Sequence, residues 1–220
     1  MGRLLALEGI DGSGKGTQAA RLAERAREHG RTVAELSFPT YDGNPFSRAV
    51  ADYLNGEFGA ADEVHPELAA LLYAADRFHA RGALRDAIKT HDIVICDRYV
   101  ASNAAHQGAK LSGEDRRRLL DWLDDVEYGE FGLPRPDLVV LLDTPVALAR
   151  TLVGRKGERG YTTLEADIHE ADAEHSAATR DVYLELAARN DEWRVVSTAR
   201  ADGAPRDVEE IAAEIWELVQ

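Results

Sequence analysis

The chain has 220 residues, 45% of them hydrophobic and 30% charged, the balance of one globular domain with a core of ordinary size. With 40 acidic against 26 basic residues its net charge is −14, which excludes a basic nucleic-acid groove and means that any phosphate site must concentrate positive charge locally. No apolar run approaches membrane-spanning length, no signal peptide fits before the first strand, and a lone cysteine, Cys96, cannot form an internal disulfide, so a cytoplasmic protein engaging neither nucleic acid nor membrane is expected.

The first apolar run, at 4–8, feeds Gly9-Ile10-Asp11-Gly12-Ser13-Gly14-Lys15-Gly16-Thr17-Gln18, and a helical pattern at 15–29 follows. This strand–turn–helix context is the one a phosphate-binding P-loop requires. Its glycines let several backbone N–H groups converge on one phosphate, Lys15 supplies a mobile cation, and the helix N-terminus adds its positive dipole end. Gly16 stands where the usual pattern has Ser or Thr, and Thr17 carries the hydroxyl one place later. All ten residues, Gly9 to Gln18, are therefore candidate nucleoside-triphosphate contacts.

Further apolar runs at 33–38, 92–97, 138–143 and 194–197 alternate with helical patterns at about 45–56, about 66–90, about 112–128, 145–153, 165–189 and 206–219. Runs without polar alternation, such as Leu138–Leu142, suit strands buried on both faces. Five strands separated by helices predict a doubly wound α/β domain of the P-loop NTPase type, a five-stranded parallel sheet with helices on both faces, in a single unit over 1–220. Cys96 reads as a small core residue. In the 165–189 pattern, Ile168, Ala171, His175, Ala178, Val182 and Leu186 form a core-facing stripe. Arg116-Arg117-Arg118 reads as a solvated helix face.

Two features point from nucleotide binding to catalysis. Asp97 and Arg98 end the third apolar run, so the topology of a parallel sheet brings them to the same crevice as the P-loop. A carboxylate there can hold Mg²⁺ through water, and an arginine can grip a phosphate bidentately. The segment at about 154–164 carries Gly154, Gly157 and Gly160 with Arg155, Lys156 and Arg159. It reads as a short lid that closes over substrate.

The order of these pieces resembles the bacterial thymidylate kinases over nearly the whole chain. The likeness is carried by the P-loop, Phe38-Pro39-Thr40-Tyr41, Tyr53 to Gly59, Tyr73-Ala74-Ala75-Asp76-Arg77, Asp97 to Asn103, Gln107-Gly108 and Pro136 to Asp143. It implies a homodimeric, Mg²⁺-dependent enzyme that moves the γ-phosphoryl group of ATP to dTMP. The resemblance gives Lys15, Asp97, Arg98, Arg155 and Arg159 to catalysis, and Asp97, Asp11 and Thr17 to the metal. It assigns Asp11, Phe38, Pro39, Tyr73, Arg77, Arg98, Ser102, Asn103 and His106 to dTMP, with Tyr73 stacking on the base, Arg77 bonding it and Arg98 on the acceptor phosphate. Another pyrimidine nucleotide kinase, or a nucleotide-binding regulator, is the alternative.

Three departures stand out. His106 replaces a tyrosine that the resemblance places near the 2′-carbon of the sugar, Thr40 follows Phe-Pro where many relatives carry a charge, and Gly12-Ser13 offers no arginine in the P-loop. Arg155, Lys156 and Arg159 would supply that charge from the lid. The expected chemistry is phosphoryl transfer by positioning and charge neutralisation, with no strong general base.

Overall fold

A computed structural model describes residues 2–41, 44–60, 63–153 and 173–220. Five parallel strands, β1 (Arg3–Glu8), β2 (Val33–Ser37), β3 (Ile93–Asp97), β4 (Leu138–Asp143) and β5 (Trp193–Ser197), form one sheet in the order β2-β3-β1-β4-β5. All four pairings are parallel. The expected architecture is therefore observed, and every strand points its carboxyl end to the same edge.

Side-chain alternation divides each strand between two cores. Leu5, Leu7, Ile93, Ile95, Val140 and Leu142 pack against α1 (Lys15–Glu28) and α8 (Val208–Val219) through Leu22, Ala23, Ile211 and Ile215. On the opposite face Leu4, Ala6, Val94, Cys96, Val139 and Leu141 meet α3 (Pro66–Thr90), α4 (Val100–Gly108) and α7 (Ala173–Ala187) through Leu84, Val100, Ala105 and Val182. Cys96 is fully buried, and burial pushes its thiol pKa up. α2 (Pro45–Leu54) packs on α3 beyond the edge of β2, around Val50, Tyr53, Leu54 and Ala69. α5 (Gly113–Asp124) and α6 (Val146–Val153) complete the set of α-helices among the described residues.

Most expected elements lie within a residue or two of their predicted bounds. Two differ in kind. The stretch after Arg98 folds as α4, which the helical patterns in the sequence omit. Its N-cap, Tyr99, has no side-chain cap of its own; the carboxylate of Glu8, 91 residues upstream, accepts the Tyr99 N–H instead. A helix start supplied from another strand leaves no local sequence signal. The pattern at 112–128 also does not continue as one α-helix: after Asp124 the chain turns into a π-helix over Asp125–Glu130.

The core-facing stripe of α7 is observed at Val182, with Thr179 and Tyr183 buried beside it; Ile168 and Ala171 lie outside the described residues. Arg116 is not simply solvated. It donates to the carbonyls of Gly108 and Leu111 and pairs with Glu185, closing the end of α4.

Because β1 is central and buried on both faces, Leu5→Ala should cost about 2–5 kcal/mol of stability. Val195 sits on edge strand β5 with 48% of its surface exposed, so Val195→Ala should cost less than about 1 kcal/mol. Urea unfolding of the two variants checks the contrast.

Candidate active site

The turn from β1 to α1 is built on conformations that only glycine adopts easily. Gly9, Gly12 and Gly14 have φ of 143°, 82° and 86°. A Cβ on Gly9 would lie 2.8 Å from the Leu142 carbonyl oxygen, so the loop can pass β4 only without a side chain there. Lys15 folds back over this loop. Its ammonium donates to the carbonyls of Gly9 (2.9 Å) and Ile10 (2.8 Å), and to Ser13 Oγ at 3.3 Å. Burial, then the nearby Arg98 charge, lowers its pKa from 10.5 to about 8. Gln18 turns away: its Nε2 donates to the Val208 carbonyl and ties α1 to α8. Thr17 is exposed on the first turn of α1.

Asp97 reaches the same turn from β3. A Cβ on Gly16 would stand 3.1 Å from Asp97 Oδ2, so the glycine at that P-loop position leaves the carboxylate room beside the helix start. Among the described residues no cluster of three or more His, Cys, Asp or Glu side chains is arranged to hold a metal by itself.

A cleft open to solvent lies next to the loop. Asp11, Phe38, Pro39, Tyr73, Arg77, Arg98, Ser102, Asn103 and His106 all line it, so residues from the loop after β2, from α3, α4 and the P-loop that the resemblance grouped are brought together. Tyr41, Leu54 and Gln107 also line it; they lie in segments that carry the resemblance, but the sequence reading did not assign them to the site. Gln107 lies one turn beyond Asn103 on α4, a spacing that would have flagged it had α4 been expected.

Arg98 is the hinge between loop and cleft. It is one of two non-glycine residues with positive φ among those described, at 67°, an uncommon conformation. Its guanidinium donates to Asp11 Oδ1 (2.5 Å), to Ser102 Oγ (3.1 Å) and, more weakly, to His106 Nε2 (3.4 Å). An arginine has no acceptor, so this arrangement requires His106 Nε2 to be unprotonated.

Behind Arg98 sits Glu8, the last residue of β1, with no exposed surface. Its carboxylate accepts from Tyr99 N (2.8 Å), Ser102 N (3.3 Å), Ser102 Oγ (2.6 Å) and Tyr183 OH (3.0 Å). Burial raises its pKa, opposed by the Ser102 hydroxyl, the Arg98 charge, the Tyr99 N–H and the Tyr183 hydroxyl.

The base of the cleft is polar and buried. Arg77 is 2% exposed and makes a bidentate pair with Glu127, at 2.5 and 2.7 Å. Tyr73, four residues earlier on α3, is held edge-on by Tyr53 at 6.2 Å. Thr40, the departure after Phe-Pro, bonds Asp76 through both its N–H (2.8 Å) and its hydroxyl (2.7 Å). It thus anchors the loop after β2 to α3. Glu8, Asp76 and Glu127 position these residues, and the sequence reading gave none of them a role, because their partners are distant in the chain. Arg155, Lys156 and Arg159 lie outside the described residues.

The arrangement offers two anion-binding points side by side, the P-loop with Lys15 and the Arg98 guanidinium, and a pocket with an aromatic wall and buried amides. Such a site suits an anionic ligand that carries a flat polar ring.

The thymidylate kinase family model matches residues 7–210. Thymidylate kinase from Mycobacterium tuberculosis is 38% identical over 196 residues, covering 88% of this chain and 90% of that protein. The enzyme of the same name from Leifsonia xyli is 37% identical over 217 residues, covering 97% and 92%. The solved structure of thymidylate kinase from Candida albicans superposes with a TM-score of 0.75 at 22% identity, over 99% of this chain and 91% of that one. That likeness concerns the fold.

Lys15 yields a pH prediction. Phosphate oxygens favour its charged form, whereas burial lowers its pKa to about 8. Affinity for a nucleoside triphosphate should therefore fall roughly tenfold or more between about pH 7.5 and about pH 9.5. Titration calorimetry at the two pH values measures it; equal affinities would mean that Lys15 keeps its proton or does not meet the phosphates.

Proposed function

The chain belongs to the thymidylate kinase family, and from that premise we propose that it binds ATP on the P-loop, takes dTMP in the adjoining cleft, and produces dTDP and ADP. The observation that carries the reading is the continuity of the two sites through Arg98, whose guanidinium touches a P-loop carboxylate on one side and α4 on the other. An oxygen of the dTMP phosphate attacks the γ-phosphorus, and the bond from that phosphorus to the β,γ-bridging oxygen breaks. The attacking oxygen is already ionised at neutral pH, so no general base is required.

Each group then has a place in the reaction. The P-loop amides and Lys15 hold the triphosphate, and Lys15 moves from its carbonyl partners to the transferring phosphoryl group. Arg98 holds the acceptor phosphate in line. Tyr73 provides the stacking face for thymine, and Arg77, Asn103 and Gln107 provide its polar edge. Arg155, Lys156 and Arg159 supply the remaining positive charge from the lid segment. The carboxylate of Asp97 beside Gly16 is a hard oxygen donor of the kind Mg²⁺ prefers, with Thr17 and Asp11 nearby in the chain. Bound there with ATP, Mg²⁺ would neutralise phosphate charge. Asp11 is shared with Arg98, which makes Asp97 the principal candidate.

A homodimer is part of the same proposal. Leu68, Leu71 and Phe78 expose 62%, 37% and 39% of their surface on α3. With Ala75 and Gly82 they follow a three-and-four spacing along one stripe of that helix. No described helix is long and apolar enough to cross a membrane.

A coupled ADP-release assay with dTMP and a panel of other nucleoside monophosphates tests the reading; turnover confined to other acceptors would refute it. In that assay Lys15→Ala should lower kcat at least about a hundredfold, the loss typical of one transition-state donor, with the circular dichroism spectrum unchanged.

His106 carries a second test. An imidazole leaves more room than the tyrosine of relatives and can bond a ribose 2′-hydroxyl, a gain of about 0.5–1.5 kcal/mol, or roughly threefold to tenfold. His106→Tyr should raise the preference for dTMP over its ribonucleotide counterpart by that factor. An unchanged ratio of kcat/KM would give His106 a structural role only.

A further inference from the structure

Two buried amides line the cleft one helical turn apart on α4, and they are held differently. Neither the oxygen nor the nitrogen of the Gln107 amide has a hydrogen-bond partner among the described residues. Gln107 can therefore present either a donor or an acceptor by turning over. Asn103 cannot. Its Nδ2 donates to the Ala70 carbonyl (3.0 Å) and to Glu127 Oε1 (2.9 Å). Both partners are acceptors only, so the amide orientation is fixed, and Oδ1 is left buried without a partner.

Glu127 reaches this position because of the π-helix. The wider turn at Asp125–Glu130 directs a carboxylate under the cleft, where it has no exposed surface. α3 grips the turn with arginines spaced four apart. Arg77 pairs with Glu127 itself, Arg81 donates to the Phe131 carbonyl and Arg85 to the Gly132 carbonyl, each of the latter at 2.6 Å. The carbonyls at the end of the π-helix are thus satisfied by the same helix that carries Arg77 and Tyr73.

We propose that Glu127 is a specificity-determining positioning residue for the base. Together with the Ala70 carbonyl it locks Asn103 with its carbonyl oxygen as the unused group, so the site accepts a pyrimidine that carries a proton at N3. Thymine and uracil offer that N–H. Cytosine offers a lone pair, which would face the Asn103 oxygen with no proton between them. A site whose polar group is fixed rejects the mismatched ring far better than one that can turn over. Gln107 alone would read both rings. The inference rests on dTMP being the acceptor.

The test compares kcat/KM for dTMP, dUMP and dCMP in the wild-type chain, Glu127→Gln and Asn103→Ala. Glu127→Gln removes the charge and one of the two acceptor oxygens; with Arg77 taking the oxygen that remains, Asn103 is held by the Ala70 carbonyl alone and its orientation is loosened. The dTMP-to-dCMP preference should fall about tenfold or more, while the dTMP-to-dUMP preference, which reads only the 5-methyl group, stays constant. In the Asn103→Ala background the second change should have no further effect on the dTMP-to-dCMP ratio. A folded Glu127→Gln enzyme with its preference intact, or one in which both ratios fall together, overturns the proposal.

Should that variant not fold, the wild-type protein still decides. The Asn103 side-chain N–H₂ resonances should be protected from solvent exchange before dTMP is added and unchanged after it; protection that arises only on binding dTMP overturns the proposal. Wild-type turnover of dTMP, measured alongside, separates the two levels. Its absence removes the kinase reading and this inference together, whereas its presence with an unmoved preference removes the inference alone.

Discussion

A single buried carboxylate organises the site. Glu8 ends the strand that leads into the P-loop, and it gathers four hydrogen-bond donors from α4 and α7. A carboxylate has about four lone-pair sites, so these donors saturate it, which is the condition under which an ionised group can stay in a dry interior. The consequence is geometric. The start of α4 is pinned to the end of β1, and Arg98, in its left-handed conformation just before that helix, is held over the P-loop. Because the Ser102 hydroxyl donates to Glu8, its lone pairs are free to accept from Arg98. Arg98, the arginine proposed to hold the acceptor phosphate, thus takes its position from a carboxylate buried behind it.

The same principle recurs at the other cations. In a chain of net charge −14, each of the three cations in and beside the cleft has an acceptor within the protein. Arg98 has Asp11, Arg77 has Glu127, and Lys15 has the carbonyls of its own loop. These pairings are not equivalent. Arg77 and Glu127 form a closed bidentate pair in the interior, and separating them would strand a charge at a cost of several kcal/mol. Lys15 rests on neutral carbonyls, and Arg98 shares a partly exposed partner. Only these two can exchange their partners for phosphate cheaply. The energetic ranking separates two cations with exchangeable partners, Lys15 and Arg98, from one held in a closed pair, Arg77.

The P-loop and the aspartate–arginine pair at the end of β3 were legible because their chemistry sits within a few consecutive residues. Thr40, Asp76 and the π-helix were not. Thr40 reads in the sequence as the loss of a charge, yet its work is to fasten a loop to α3, and the carboxylate it uses lies 36 residues away. The π-helix begins in a stretch with ordinary helical composition, and the arginines on α3 that meet it lie about 50 residues away. Tyr73 and Arg77 could be placed on one helix face from their spacing, but not the burial of Arg77 against Glu127.

What the sequence determined by itself is what local rules encode. The order of strands and helices follows from apolar periodicity, the parallel sheet from the length of the crossovers, and the phosphate loop from the conformations that glycine permits. What only the tertiary structure decided is which buried polar groups face one another. Asn103 meets Glu127 across 24 residues and Glu8 meets Tyr183 across 175. Hydrogen bonds require approach to within about 3 Å, and that proximity is created by packing two helix layers on one sheet. No spacing within a single element carries it, so the acceptors that orient Arg98 and Asn103 appear only once the chain has folded.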